Sequence, residues 1–166
     1  MKNLIIRALS GAVYIALVIS SIYFGGWLFA TFFGILVIIG MHEAQKLAWK
    51  GKCSTTIQVL DIATGMALFL GAFASVAFGT DPRLAAPLPI LLVLARFIAG
   101  LYLKEQSPIA SWANSCFTIC YVAVPLTMLA LILHTYGMLI ALFMFVCIWL
   151  NDTGAYLVGC TIGKHR

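Results

Sequence analysis

Long apolar runs alternate with short polar breaks from one end of the chain to the other. Six apolar stretches cover residues 8–24, 27–41, 57–78, 86–103, 111–133 and 137–158 approximately, and a membrane-spanning helix needs about 20 such residues. The breaks carry glycine pairs, prolines and charged residues, which are typical of turns and helix caps. The pattern predicts an all-α polytopic membrane protein with about six transmembrane helices.

The composition supports a membrane protein. Of the 166 residues, 63% are hydrophobic and only 9% are charged, whereas soluble domains carry roughly 25% charged residues. We therefore expect residues 1–166 to form one transmembrane helical domain and exclude an ordinary soluble enzyme.

The lysines and arginines predict the orientation of the spans. If the N-terminus is cytoplasmic, only Arg83 falls in an outer loop. The cytoplasmic segments then hold eight basic residues: Lys2, Arg7, Lys46, Lys50, Lys52, Lys104, Lys164 and Arg166. The positive-inside rule favours this topology, with both termini in the cytoplasm. The net charge of +5 would attract anionic headgroups or phosphorylated substrates, but it is too dispersed to favour nucleic acid.

Arg96 is the remaining basic residue, and it lies inside the fourth span, about two turns from the cytoplasmic end. We favour a side chain that snorkels to the interface. A phosphate or a carboxylate partner within the bundle is the alternative.

Two prolines mark features of the fifth span. Ser107-Pro108 is typical of an N-cap followed by proline at the first helical position, so the span should begin there. Pro125 removes a backbone donor within the span and should kink or break the helix.

The histidines and cysteines do not predict a metal site. His42-Glu43 resembles the start of a zinc-binding H-E-x-x-H motif, but position 46 is lysine, so the second ligand is missing. His134 is interpreted as an ordinary residue of a short outer turn. The five scattered cysteines imply no disulfide framework.

The segment 151–166 carries the main candidate chemistry. Asp152 directly follows an apolar run, where a carboxylate needs a partner, a metal or water. If the helix continues, a face of small residues forms beside this carboxylate; the face comprises Asp152, Ala155, Tyr156, Gly159 and Gly163. Gly159 and Gly163 could let another helix approach closely. Alternatively, the face leaves room for a metal or a phosphate-bearing ligand, with Lys164 and Arg166 as anion partners.

The order of residues in this segment also carries a resemblance. The segment begins with Asn151-Asp152-Thr153-Gly154-Ala155-Tyr156, continues with Gly159 and then contains Gly163-Lys164-His165. This order resembles the phosphatidate cytidylyltransferases, also called CDP-diglyceride synthases. The short basic N-terminus, the two closely spaced first spans, and Glu43 with Leu47 agree more loosely with that family.

The resemblance implies a reaction in which CTP and phosphatidic acid give CDP-diacylglycerol and pyrophosphate. Asp152 would be the catalytic residue and would hold Mg²⁺ or another divalent cation. Substrate contacts would come from Asn151, Tyr156, Lys164 and Arg166. The resemblance also implies a multi-pass protein of the inner, cytoplasmic membrane and allows a homodimer.

The chain departs from the family pattern at its end. The family signature, a Ser-Pro-Lys-Lys-Thr-type loop, would begin after Arg166. We therefore expect residues 1–166 to be the N-terminal part of a longer enzyme and to be inactive alone. Two alternatives stay open. One is a six-span transporter or membrane assembly protein with Asp152 as an ion or proton site, and the other is a CTP-dependent polyprenol kinase.

Overall fold

The computed structural model describes residues 2–49, 54–103 and 107–161, and this part of the chain is helical throughout apart from short turns. The elements are α1 (Lys2–Phe24), α2 (Gly26–Ala48), α3 (Thr55–Ala77), α4 (Pro82–Ala85), α5 (Pro87–Tyr102), α6 (Pro108–Thr118), a π-helix (Ile119–Ala123), α7 (Val124–Tyr136) and α8 (Met138–Thr161).

Five helical segments of the described chain are long and apolar enough to cross a membrane. They are Gly26–Ala48, Thr55–Ala77, Pro82–Tyr102, Pro108–Tyr136 and Met138–Thr161, and Leu9–Phe24 is a shorter apolar helix. The all-α polytopic fold is thus confirmed, and the protein is a multi-pass membrane protein. The orientation of the bundle in the membrane stays a prediction.

Glycines make two of the reversals between helices. Gly25 lies between α1 and α2 with φ of 59°, and Gly26 begins α2 with φ of 51°. Gly137 separates α7 from α8 with φ of 85°. Glycine adopts these positive φ angles without steric cost. The predicted break at Gly25-Gly26 is confirmed. His134, predicted to lie in a turn, instead belongs to the last turn of α7, because the reversal needs only Gly137.

α3 lies at the centre of the bundle, where it packs against α2, α5 and α7. Near the start of α2 and the end of α3, the rings of Phe29, Phe33, Phe69 and Phe73 are buried. Phe29 lies with its ring centroid 4.6 Å from that of Phe33 and 6.2 Å from that of Phe73. Such ring pairs add to the energy of packing in the core. The aromatic core therefore fills one end of the bundle.

Pro125 changes the helix without breaking it. Proline lacks the N–H that would bond the carbonyl four residues earlier, and the π-helix Ile119–Ala123 precedes it. Val124 donates its N–H to the Ile119 carbonyl, five residues back, and the Thr127 hydroxyl donates to the Ala123 carbonyl at 2.7 Å. The predicted kink is realised as a widened turn.

α2 continues well beyond the predicted end of its span at residue 41. Val37, Met41 and Gln45 recur every four residues and are all buried, so the helix keeps one inward face through its last turns. The helix was predicted too short because His42 and Glu43 interrupt the apolar run on the exposed side only.

Candidate functional site

The predicted residues Asn151, Asp152 and Tyr156 lie on the second half of α8 and are exposed. The first half of α8 is fixed in the bundle through the buried side chains of Ala141 and Phe145. The second half therefore presents its side chains on an open surface. Lys164 and Arg166, the predicted anion partners, lie outside the described residues, as does Gly163.

The small face requires a helix, and α8 is helical through Thr161, its last described residue. Asp152, Ala155 and Tyr156 share one side of the helix because they are three and four residues apart. A Cβ built on Gly159, which belongs to this face, would meet nothing within 4 Å. Within the described chain, no other helix therefore occupies this face, and a ligand would have free access to it.

The described residues provide only some of the ligands that a divalent cation needs. No group of three His, Cys, Asp or Glu side chains that could hold a metal is present there. Asp152 supplies one carboxylate, and Mg²⁺ is often bound through one or two carboxylates together with substrate phosphates. The described residues thus do not form a complete set of metal ligands, and we assign no catalytic step to a metal.

A second polar site lies inside the bundle, and sequence analysis identified only one of its members. We call it the polar cluster, and its members are Gln45, Asp61, Arg96, Ser111 and Ser115. These residues come from α2, α3, α5 and α6, and at least 95% of the surface of each is buried. α2 and α5 end near the cluster, and α3 and α6 begin there. The cluster therefore occupies the end of the bundle opposite the aromatic core.

Arg96 and Asp61 form the centre of the polar cluster. Arg96 Nε lies 3.6 Å from Asp61 Oδ1 and donates to Ser115 Oγ at 2.7 Å. Ser115 Oγ in turn donates to Asp61 Oδ2 at 2.7 Å, so one hydroxyl bridges the two charges. Arg96 Nη2 donates to Ser111 Oγ, and Gln45 Nε2 donates to Asp61 Oδ2 at 3.1 Å.

The snorkelling interpretation of Arg96 is therefore wrong, and the alternative of a carboxylate partner is correct. A charge within the membrane is costly unless it is paired, and Asp61 supplies the opposite charge in the interior. Arg96 also donates to two hydroxyls, which further reduces the cost of burying the guanidinium.

The sequence contained a signal for this pair that was overlooked. Asp61 lies six residues after the start of α3, and Arg96 lies six residues before the end of α5. At 1.5 Å per residue, both lie about 9 Å from the same end of the bundle. Ser111 and Ser115 are four residues apart, so they share one face of α6. Matching depth makes two opposite charges candidates for a pair, and the packing of α3 against α5 brings them together.

The polar cluster connects four helices, α2, α3, α5 and α6, and fixes the orientation of Arg96. Removing one partner of a buried ion pair typically costs about 3–5 kcal/mol, because the remaining charge is left unpaired. The described contacts give the cluster a positioning role and supply no nucleophile or general base that is open to a substrate. The open carboxylate Asp152 and the buried pair are thus separate features of the chain.

Comparison with known proteins supplies the class of chemistry. A model of the cytidylyltransferase family matches residues 5–166. No curated protein and no solved structure matches the chain. The family match includes the helices of the polar cluster and all of α8. The chain therefore belongs to the cytidylyltransferase family, and it is a membrane-embedded transferase that uses CTP.

Proposed function

We propose that this protein is a phosphatidate cytidylyltransferase, which converts CTP and phosphatidic acid into CDP-diacylglycerol and pyrophosphate. One observation carries the proposal: a cytidylyltransferase family match over residues 5–166 in a chain whose described helices are built to cross a membrane. A transferase whose body lies in the bilayer meets lipid acceptors there. A lipid that carries a phosphate monoester is the acceptor that yields a cytidine diphosphate lipid.

In this reaction, a phosphate oxygen of the lipid attacks the α-phosphorus of CTP. A new P–O bond forms, the bond from the α-phosphorus to the bridging oxygen breaks, and pyrophosphate leaves with that oxygen. Such transfers depend on positioning and on opposite charge placed around the phosphates. In the proposal, Asn151, Tyr156, Lys164 and Arg166 hold the substrates around Asp152.

In the proposal, Asp152 would hold Mg²⁺ or another divalent cation. The cation would neutralise charge on the phosphates when bound. The exposure of Asp152 supports this role, because a buried carboxylate would have no access to a nucleotide.

The predicted orientation fits the same reaction. With both termini in the cytoplasm, the end of α8 that follows Asp152 faces the compartment that contains CTP. Phosphatidic acid presents its phosphate at the same interface, and we place the protein in the inner, cytoplasmic membrane. A homodimer is compatible with this arrangement.

Family membership favours an enzyme over a transporter or an assembly protein. A CTP-dependent polyprenol kinase also uses CTP at the membrane, but it transfers a different part of the nucleotide. A cytidylyltransferase transfers the α-phosphate with the nucleoside, whereas a kinase transfers the γ-phosphate.

Two labels of CTP separate these reactions. Protein produced from its complete reading frame is purified in detergent and mixed with phosphatidic acid, Mg²⁺ and CTP that is labelled at either the α- or the γ-phosphorus. We expect the α-label to enter the lipid fraction and the γ-label to appear in pyrophosphate. Transfer of the γ-label to added polyprenol would show a kinase, and the absence of any lipid labelling would contradict both.

A further inference from the structure

Two buried N–H groups point to a ligand, one on Arg96 of the polar cluster and one on Trp112 of α6. Arg96 Nη1 and Trp112 Nε1 are both buried, and neither finds an acceptor within the described part of the chain. Arg96 as a whole is only 3% exposed. A buried donor without an acceptor loses its hydrogen bonds to water and gains nothing in exchange. An acceptor from outside this part of the chain would remove that penalty.

The two donors converge beside Gly100. A Cβ built on Gly100 would lie 2.8 Å from Arg96 Nη1 and 3.0 Å from Trp112 Nε1. The two nitrogens can therefore be at most 5.8 Å apart, the sum of those distances. One oxygen can accept from two N–H donors at this separation, since each N···O distance is about 2.9 Å. Glycine at this position lets both donors lie close to the backbone of α5.

The charge balance favours a neutral acceptor. The Arg96 charge is already opposed by Asp61, with Nε and Asp61 Oδ1 3.6 Å apart. A phosphate brought against this pair would add negative charge with nothing left to compensate it, which is costly in a low-dielectric interior. A carbonyl oxygen accepts two hydrogen bonds without adding charge.

The space next to these donors is suited to an acyl chain. A small cavity of about 40 Å³ is lined by Arg96 and Trp112 together with Thr64, Val93 and Ile119. The last three residues also line a larger groove of about 360 Å³ between α3 and α5. That groove has apolar walls and continues along α5 past Ile90 and Pro89. The small cavity and the larger groove thus share a wall.

We propose that this region binds one ester-linked chain of a glycerolipid. Its ester carbonyl oxygen accepts hydrogen bonds from Arg96 Nη1 and Trp112 Nε1 beside Gly100, and its acyl chain lies in the apolar groove. The position about 9 Å from the end of the bundle requires the chain to enter between the helices rather than stay at the headgroup level. This site is independent of the reaction proposed above, because it recognises the ester and the chain.

An ether-linked lipid provides the test, because it keeps the headgroup and the chains but has no carbonyl. Purified full-length protein is titrated by native mass spectrometry with dioleoyl phosphatidic acid and with its analogue that carries two ether-linked chains of the same length. We expect the ester lipid to bind about three- to ten-fold more tightly, the effect of one or two neutral hydrogen bonds.

Two variants locate the preference at this site. Trp112→Phe keeps a ring against Phe97, whose centroid lies 5.0 Å from that of Trp112, but it removes one donor. Gly100→Ala places a methyl group 2.8 Å from Arg96 Nη1 and 3.0 Å from Trp112 Nε1, so the two donors must shift. Each should remove most of the ester preference. Trp27→Phe is the matched control, since Trp27 is exposed, and it should keep the preference.

Several outcomes would overturn the proposal. Equal binding of the ester and ether lipids by the wild-type protein would show that water, or a phosphate group, satisfies the two donors. An ester preference that survives in both Trp112→Phe and Gly100→Ala would place the carbonyl elsewhere. Because binding is measured without turnover, these results do not depend on the proposed reaction.

Discussion

The Ser115 hydroxyl bridges Arg96 and Asp61, accepting from Arg96 Nε and donating to Asp61 Oδ2, each at 2.7 Å. These three residues belong to α6, α5 and α3. A single hydroxyl thus connects three helices through two charge-assisted hydrogen bonds, which are stronger than neutral ones.

The ion pair should stabilise the bundle only as a pair. We expect Asp61→Leu and Arg96→Met each to lower the free energy of unfolding in detergent by about 3–5 kcal/mol, because each leaves a buried charge unpaired. The double variant should lose less than the sum of the two single variants. Arg83→Met is the control, since Arg83 is exposed on α4. Additive losses in the double-variant cycle would contradict the pairing.

Ser115→Ala should weaken the same cluster. The substitution removes one acceptor from Arg96 and one donor from Asp61, so we expect a loss of about 1–3 kcal/mol in the free energy of unfolding. Ser75→Ala provides a comparison, because the Ser75 hydroxyl donates to the Ala72 carbonyl of its own helix. If both variants lost the same stability, the Ser115 bridge would not be a stabilising contact.

Gly40 allows close packing of α2 on the π-helix. A Cβ at Gly40 would lie 2.9 Å from Val122 Cγ1, whereas a Cβ at Gly11 would meet nothing within 4 Å. Gly40→Leu should therefore cost about 1–3 kcal/mol through overpacking, and Gly11→Leu should be nearly neutral. Thermal unfolding of the two purified variants measures the difference, and similar melting temperatures would show that the helices can separate without loss.

Asp152→Asn tests the proposed catalytic carboxylate. The variant keeps the shape of the side chain and removes its charge, so we expect a loss of at least about 100-fold in the transfer of α-labelled cytidylyl groups, typical of a single electrostatic contribution. Membrane insertion should be unchanged because Asp152 is exposed. Asp81→Asn is the control, since Asp81 caps α4 by accepting from the Arg83 N–H. Wild-type activity in Asp152→Asn would remove Asp152 from the mechanism.

The topology can be checked with reporter fusions. The basic residues predict that a reporter after Lys52 is cytoplasmic and a reporter after Arg83 is on the outer side. α3 lies between these two positions and is long enough to cross the membrane. Reporters that reach the same compartment would show that α3 does not cross it.

The sequence by itself determined the features that depend on neighbouring residues. The apolar runs predicted the helices because a segment in lipid must satisfy its backbone hydrogen bonds internally. Gly25-Gly26 and Pro108 marked boundaries, since their backbone preferences are intrinsic to the residue. The order of residues around Asp152 predicted the family that the match over residues 5–166 then showed.

Only the tertiary structure decided which distant residues meet. The apolar pattern gave no partner to Asp61 or Arg96, and Gln45 lay beyond the predicted end of its span, yet all three contribute to one cluster at 95% burial or more. The helical pattern of α8 also did not predict that the second half of the helix is exposed. A pattern records which face of a helix is apolar, whereas the contacts of a polar side chain depend on how several helices pack against one another.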